Sequence, residues 1–339
     1  MRLSKLPNDK IILLLGGPRS GTTWLGKIFD SHPDTLYRFE PDRVRRGRDL
    51  PLICKARDIE RHRDAAHDYL LDLVKVHNVT ASGSMPLFKK SYRGFLGTRM
   101  HDTAIRALRG LLRKLRRTRR PGIRRRVRRV LVPDLIRGRR AKGMHAIIKS
   151  VSARGRARLF AEAMPEAKII LVVRDPFGHV AAMMRGNRTG RHSGAMRVED
   201  LLSIEQAKRL GLTPQMFDGI SMVERFAWEW AILNLKAIED LEGLPQARVV
   251  LYQDLCANPI TVCRDLFEFT GLSWDPATEE FVRSSVDYAG RDPYLRLFRN
   301  TRRNANRWRV ELTREDQLRI QRIAQQAGMW QFCPELPTE

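Results

Sequence analysis

The stretch Ile11 to Glu40 reads IILLLGGPRSGTTWLGKIFDSHPDTLYRFE, and the order of its residue types decides the fold. Ile11 to Leu15 is an unbroken run of five apolar residues, too short to span a membrane and suited to a strand buried on both faces of a parallel sheet. Gly16 to Gly21 follows as a glycine-rich turn. From Thr22 onward, Trp24, Leu25, Ile28 and Phe29 recur at helical spacing. His32-Pro33 ends that pattern, because a residue before proline avoids the helical region. The order is strand, anion loop, helix. In such a loop, successive backbone N–H groups and the positive end of the helix converge on one anion.

The residues inside the loop narrow the choice of anion. Gly16 and Gly21 keep the spacing of a triphosphate-binding P-loop, G-x-x-x-x-G-K-[ST], but Thr22 stands where that motif has the lysine that reaches the terminal phosphates. Arg19 supplies a cation from within the loop instead. The site therefore reads as one for a 5′-phosphate carrying a transferable group, with no requirement for magnesium or another metal.

PRSGTTWL closely resembles the 5′-phosphosulfate loop of sulfotransferases that use 3′-phosphoadenosine 5′-phosphosulfate (PAPS). The resemblance is strongest to the carbohydrate and tyrosylprotein branches, where arginine replaces the lysine of the cytosolic small-molecule enzymes. Further landmarks similar to that family follow in order: Phe39-Glu40-Pro41, KIILVVRDP from Lys168 to Pro176, VVLYQDLCANP from Val249 to Pro259, and NRWRVELTREDQ from Asn306. They cover most of the chain outside roughly Arg43 to Met144. The fold implied is α/β, a P-loop-containing parallel sheet flanked by helices, here with a basic helical insertion. The resemblance also implies PAPS as co-substrate, held by Arg19, Ser20, Gly21, Thr22, Thr23 and Trp24, with Arg174 on the 3′-phosphate. Ala182 departs from the family, which has a serine on that phosphate eight residues after the arginine. His179, Arg185 or a C-terminal arginine could compensate. Arg302 and Arg303, in the polar basic stretch Leu297 to Arg309, are candidates by position and composition.

Glu40 ends the expected strand Thr35 to Phe39. Ligands of open α/β sheets bind outside the carboxyl ends of the strands, so this position delivers a carboxylate beside the bound donor. The family implies that Glu40 is the general base for an acceptor hydroxyl; the plainer alternative is a surface ion pair with Arg38 or Arg43. Lys149 ends a short expected strand, Ala146 to Lys149, and the tyrosylprotein branch implies that it touches the transferring group; the alternative is a structural ion pair. Asp175 and Pro176 read as the N-cap and first residue of a helix. Asn258-Pro259 opens another helix, Gly271 closes it, and Thr313 with Asp316 forms a capping box for a last helix closed by Gly328. Tyr252 and Asp254 read as braces of the sheet.

With 339 residues, 42% of them apolar, a large core can be buried, and one domain with an insertion over residues 43–144 is expected. A helix is expected from Ile59 to Val76, with Tyr69, Leu70, Leu73 and Val76 on one face, and a loop from Thr80 to Pro86. The four cysteines show no CxxC pair, which favours free thiols in a reducing compartment. Only ten polar-leaning residues precede Ile11, so the expectation is a cytoplasmic protein without signal peptide or anchor.

The net charge is +25, and Arg106 to Lys142 holds 17 lysines and arginines against the single acid Asp134, a local excess of +16. Ile105, Leu108, Leu111, Leu112 and Leu115 fall on one helical face there, with the arginines elsewhere. Such a helix suits an anionic membrane surface, on the inner face for a cytoplasmic protein. It equally suits a solvated cover over the acceptor cleft, or contact with an anionic glycan. No aromatic residue interleaves the run, which counts against nucleic acid. The activity implied by the family is sulfuryl transfer from PAPS to a hydroxyl, with a glycan or glycolipid as acceptor. The rivals are a P-loop kinase, with Asp175 on magnesium, and a non-enzymatic basic membrane or nucleic-acid-binding protein.

Overall fold

The computed structural model describes residues 6–45, 47, 49–117, 121–136, 143–190, 195–286 and 305–335. Strands β1 (Ile11–Gly16), β2 (Thr35–Phe39), β3 (His145–Ser150), β4 (Lys168–Val173) and β5 (Ala247–Leu251) form one parallel sheet in the order β2-β3-β1-β4-β5. β2 has the bounds that sequence predicts. β4 carries the KIILVV run of its family landmark, and β5 ends at Leu251, releasing Tyr252 into a short helix, Tyr252–Ala257.

β1 is buried on both faces, as its unbroken apolar run requires. Ile11, Leu13 and Leu15 pack into a cluster with the helices Ile59–Lys75, Ala157–Ala163, Pro176–Arg188 and Met222–Leu241. Ile12 and Leu14 face the helices Thr22–Ser31, Pro259–Thr270 and Pro276–Val286. The chain leaving β1 therefore goes to one face and the chains leaving β3 and β4 go to the other. Loops that part in this way open a crevice at the carboxyl end of β1.

Helix ends follow local chemistry. Asp175 Oδ1 accepts a 2.5 Å hydrogen bond from the Gly178 N–H, with Pro176 at the first helical position. Ser221 and Glu224 form a full capping box for Met222–Leu241. Asn258 makes no side-chain cap, so Pro259 alone marks that start, and Gly271 closes the helix with φ +70. At the last helix, Arg314–Gln326, Thr313 accepts from the Asp316 N–H at 3.1 Å, one arm of the predicted box.

The long β2–β3 connection departs most from the sequence reading. The expected loop Thr80 to Pro86 opens instead as a helical turn, Val79–Ser82, because the Asn78 side chain accepts from the Thr80 and Ala81 N–H groups. The helix Ile59–Lys75 buries Val74 rather than Val76. The basic helix runs from Phe95 to Arg117, followed by Pro121–Arg128. Its predicted apolar stripe turns toward the body: Ile105 is buried with Val79 and Val132, and Leu108 and Leu112 pack on that cluster. Leu111 stays exposed. Among the described residues no helix is long and apolar enough to cross a membrane.

Asp134, the one acid of the basic run, is not at the surface. Its carboxylate accepts from Arg38 Nη1 at 2.9 Å and Nη2 at 2.6 Å, and Arg38 Nε donates to Val74 O at 2.8 Å. Arg93 Nε donates to Asp134 O at 2.8 Å. These bonds fasten the connection to the edge strand β2. The helix Thr22–Ser31 holds the connection too: Lys27 Nζ donates to Ser84 O at 2.8 Å, and Lys90 pairs with Asp30.

Removing one partner of a buried pair leaves an uncompensated charge, so Arg38→Met should cost about 3–5 kcal/mol in chemical denaturation. Burial by itself raises the Asp134 pKa, but the Arg38 guanidinium outweighs it and the net shift is below the usual 3.8. The matching stability is present above pH 3.8 and is lost as pH falls through the lower folded value. Asp134→Asn should flatten that part of the acid limb; an unchanged limb would contradict the pairing.

Candidate active site

The sheet order lines up the carboxyl ends of the five strands as Glu40, Lys149, the Gly16–Gly21 loop, Arg174 and Tyr252. Neighbouring strands lie about 4.8 Å apart, which sets Lys149 one strand and Glu40 roughly 10 Å from the loop strand.

The loop has the form of an anion cradle. Trp24 N–H donates to Gly21 O at 2.9 Å, so the Gly21, Thr22 and Thr23 amides belong to the donors that a helix start leaves without an internal acceptor. Ser20 Oγ donates to Gly17 O at 2.7 Å and is used in shaping the turn. Gly21 has φ +95, and a Cβ there would lie 2.2 Å from Tyr252 Cδ2. Only glycine meets both conditions.

Cations surround the cradle. The Arg19 side chain is exposed at its mouth. Arg174 Nη1 donates to Arg19 O at 3.1 Å, and its guanidinium lies 5.0 Å from the Tyr252 ring centroid. Beneath Gly17 the Arg154 guanidinium lies 3.0 to 3.2 Å from the position a Cβ would take. Arg154 is buried, donates to Asn234 Oδ1 at 3.1 Å, and burial lowers its pKa to about 10. It remains a cation at neutral pH and adds its field to that of the helix end.

On the other side of the loop, Glu40 and Lys149 form a buried pair. Lys149 Nζ donates to Glu40 Oε1 at 2.5 Å, while Glu40 Oε2 lies 2.5 Å from Arg43 Nε in an ion pair without hydrogen-bond alignment. The surface-pair alternative is thus half realised: Arg43 reaches Glu40, whereas Arg38 turns inward to Asp134. Burial lowers the Lys149 pKa below 10.5, and Glu40 acts against that shift. The Lys149 ammonium also lies 4.6 Å from the Phe39 ring centroid. Just past Glu40, Asp42 accepts from Ser150 Oγ at 2.6 Å and from Ser152 Oγ, tying the ends of β2 and β3 together.

Backbone strain marks the same places. Among the described residues three non-glycine positions have positive φ: Arg19 (+65), Glu40 (+46) and Leu135 (+55). Two of them are residues that sequence picks out. Strained conformations of this kind cost about 1–3 kcal/mol each and persist where the surroundings over-determine them.

The structure brings Arg19, Gly21, Thr22, Thr23, Lys149, Glu40 and Arg174 to one sheet edge. Trp24 is buried behind the loop wall: its indole N–H donates to Ser285 Oγ at 3.0 Å and its ring packs edge-on against Tyr252. Of the residues named to compensate for Ala182, Arg185 is committed to Glu311 and His179 is buried. Arg302 and Arg303 lie outside the described residues. Asp175, the magnesium residue of a kinase reading, is buried as a helix cap, and burial raises its pKa. Tyr252, Arg154 and Asp42 were missed as parts of the site. Position at a strand's carboxyl end was an available signal for Tyr252; the other two carried none.

The family model described as "Sulfotransferase family" matches residues 12–276. The chain belongs to the sulfotransferase family. Among curated sulfotransferases, carbohydrate sulfotransferase 2 of Mus musculus and of Homo sapiens are each 34% identical to it over 67 residues. That segment is 19% of this chain and spans only 13% of the length of those relatives. Among solved structures it is similar to the sulfotransferase domain from the Synechococcus PCC 7002 olefin synthase. That likeness covers 96% of this chain and 95% of the other, with 17% identity and a TM-score of 0.46.

If Tyr252 walls the loop, Gly21→Ala should cost about 1–3 kcal/mol for its φ alone, and more through the clash. In a Tyr252→Ala background the clash share should vanish and the φ share remain. Equal losses in both backgrounds, measured by denaturant unfolding, would place Tyr252 elsewhere.

Proposed function

We infer that the protein transfers the sulfuryl group of PAPS to a hydroxyl acceptor. One observation carries the reading: an amide cradle ringed by Arg19, Arg154 and Arg174 lies beside a buried Glu40–Lys149 pair on the same sheet edge. Family membership supports PAPS as the donor. The chain's own residues suit it, since Thr22 in place of the P-loop lysine removes the reader of a triphosphate and leaves the cradle for a 5′-phosphate.

The acceptor oxygen attacks sulfur, the bond from sulfur to the 5′-phosphate oxygen breaks, and the acceptor proton passes to Glu40. Adenosine 3′,5′-bisphosphate leaves with the electron pair. Lys149 and Arg19 stabilise charge growing on the transferred group and the leaving phosphate, while the Gly21, Thr22 and Thr23 amides hold that phosphate. Arg174, beyond the loop, takes the 3′-phosphate in this reading. Each such preorganised donor is typically worth about 3–4 kcal/mol in the transition state.

Glu40 and Lys149 lie on the β2 side of the loop, next to the long β2–β3 connection, and that connection is the part of the chain placed to select the acceptor. A sugar hydroxyl on a glycan or glycolipid is the favoured class, supported by the short match to carbohydrate sulfotransferases. Transfer of labelled sulfate from PAPS to extracts of the host cell, followed by glycosidase or protease digestion, tests both donor and class. Label should appear in a glycosidase-sensitive fraction; label in protein alone would redirect the acceptor to tyrosine.

Glu40→Gln should lower turnover by about a hundred- to ten-thousand-fold while the protein still folds. Arg19→Ala should lose about a hundred- to a thousand-fold. Near-normal turnover in Glu40→Gln would remove it as the base.

A further inference from the structure

The basic helix Phe95–Arg117 uses one face against the body and leaves the other bare. Ile105, Leu108 and Leu112 take the inner side. At 100° per residue, Phe95, Leu96, Arg99, Met100, Arg106 and Arg113 fall on the outer one. There Phe95 is 73% exposed, and Leu96 and Met100 are each 67% exposed. The three arginines are exposed as well, with Arg99 resting 5.6 Å from the Phe95 ring centroid.

The one acid of the basic run does not offset these arginines. Asp134, the only acid between Arg106 and Lys142, is buried against Arg38. Asp102, nearer the start of the helix, pairs with buried His101 toward the inner side. The outer face thus combines large apolar side chains at one end with cations along its length, and the carboxylate at its margin, Asp102, is turned to His101.

That combination selects the partner. Guanidinium groups alone would satisfy an acidic glycan or a nucleic acid, and neither gives three exposed apolar side chains a place. A second copy of the chain would set the exposed Arg99, Arg106 and Arg113 of one face against those of another. An anionic bilayer accepts both parts at once, apolar side chains among the upper acyl segments and cations at the lipid phosphates. We propose that the outer face of Phe95–Arg117 is a peripheral membrane anchor for anionic phospholipid, with Phe95, Leu96 and Met100 as its inserted residues. It differs from the anchor the sequence pattern suggests, whose stripe the fold has already covered. The proposal does not rest on sulfuryl transfer.

The test is flotation of the purified full chain with vesicles of phosphatidylcholine, with or without phosphatidylserine, at low and high salt. The chain should float only with the anionic vesicles. The triple variant Phe95→Ser, Leu96→Ser, Met100→Ser should reduce partitioning by about tenfold or more, because binding scales with inserted apolar area. Arg106→Glu with Arg113→Glu should reduce it similarly through charge. Both variants should keep the wild-type melting temperature; if the triple variant does not fold, Phe95→Ser alone serves. Unchanged flotation of the serine variant, equal binding to neutral vesicles, or no flotation at all would overturn the proposal. A concentration-dependent dimer lost in the serine variant, without vesicle binding, would assign the face to a second copy and overturn it too.

Discussion

The hydrogen bond from Lys149 to Glu40 is the interaction on which the site depends. A carboxylate as buried as Glu40 needs a cation, because an ion withdrawn from water without a partner costs several kcal/mol. The partner is available only through topology. β3 is inserted between β2 and β1, so Phe39 and Lys149 share a register position and the Glu40 N–H donates to Lys149 O at 2.9 Å. The same insertion places Lys149 between the carboxylate and the anion loop. A sheet with β2 directly beside β1 would not separate base, cation and loop in that order.

The loop then divides the sheet edge by charge and role. Arg174 and Tyr252 close one side and fix its backbone through Arg19 O and against Gly21. Glu40 and Lys149 form the other. Arg154 sits below, so the cradle is positive from the base, the flank and the helix end together. The β2–β3 connection borders the Glu40 side, and Arg38–Asp134 and the lysines on Asp30 hold it there. The connection that borders Glu40 and the exposed basic helix are thereby one segment, secured to one edge strand.

Much of this is legible in the sequence because it is local. The run Ile11 to Leu15, the glycines at 16 and 21, and the Asp175-Pro176 cap each state their structure within a few residues. Glu40 and Lys149 follow from standing at the ends of short strands. Pairings distant in sequence are not legible in this way. Nothing near Arg38 announces Asp134, 96 residues away, and nothing near Gly17 announces Arg154. The amphipathic pattern at Ile105 shows that a stripe exists but not whether body or bilayer covers it. The outcome was set by Val79 and Val132, which periodicity within the helix cannot show.

The central claim is that the loop holds a doubly phosphorylated adenosine and not a triphosphate. Isothermal titration of adenosine 3′,5′-bisphosphate and of ATP, each with and without magnesium, tests it most directly. The account predicts micromolar binding of the bisphosphate independent of magnesium, with ATP far weaker. Tight magnesium-dependent binding of ATP by a chain indifferent to the bisphosphate would contradict it.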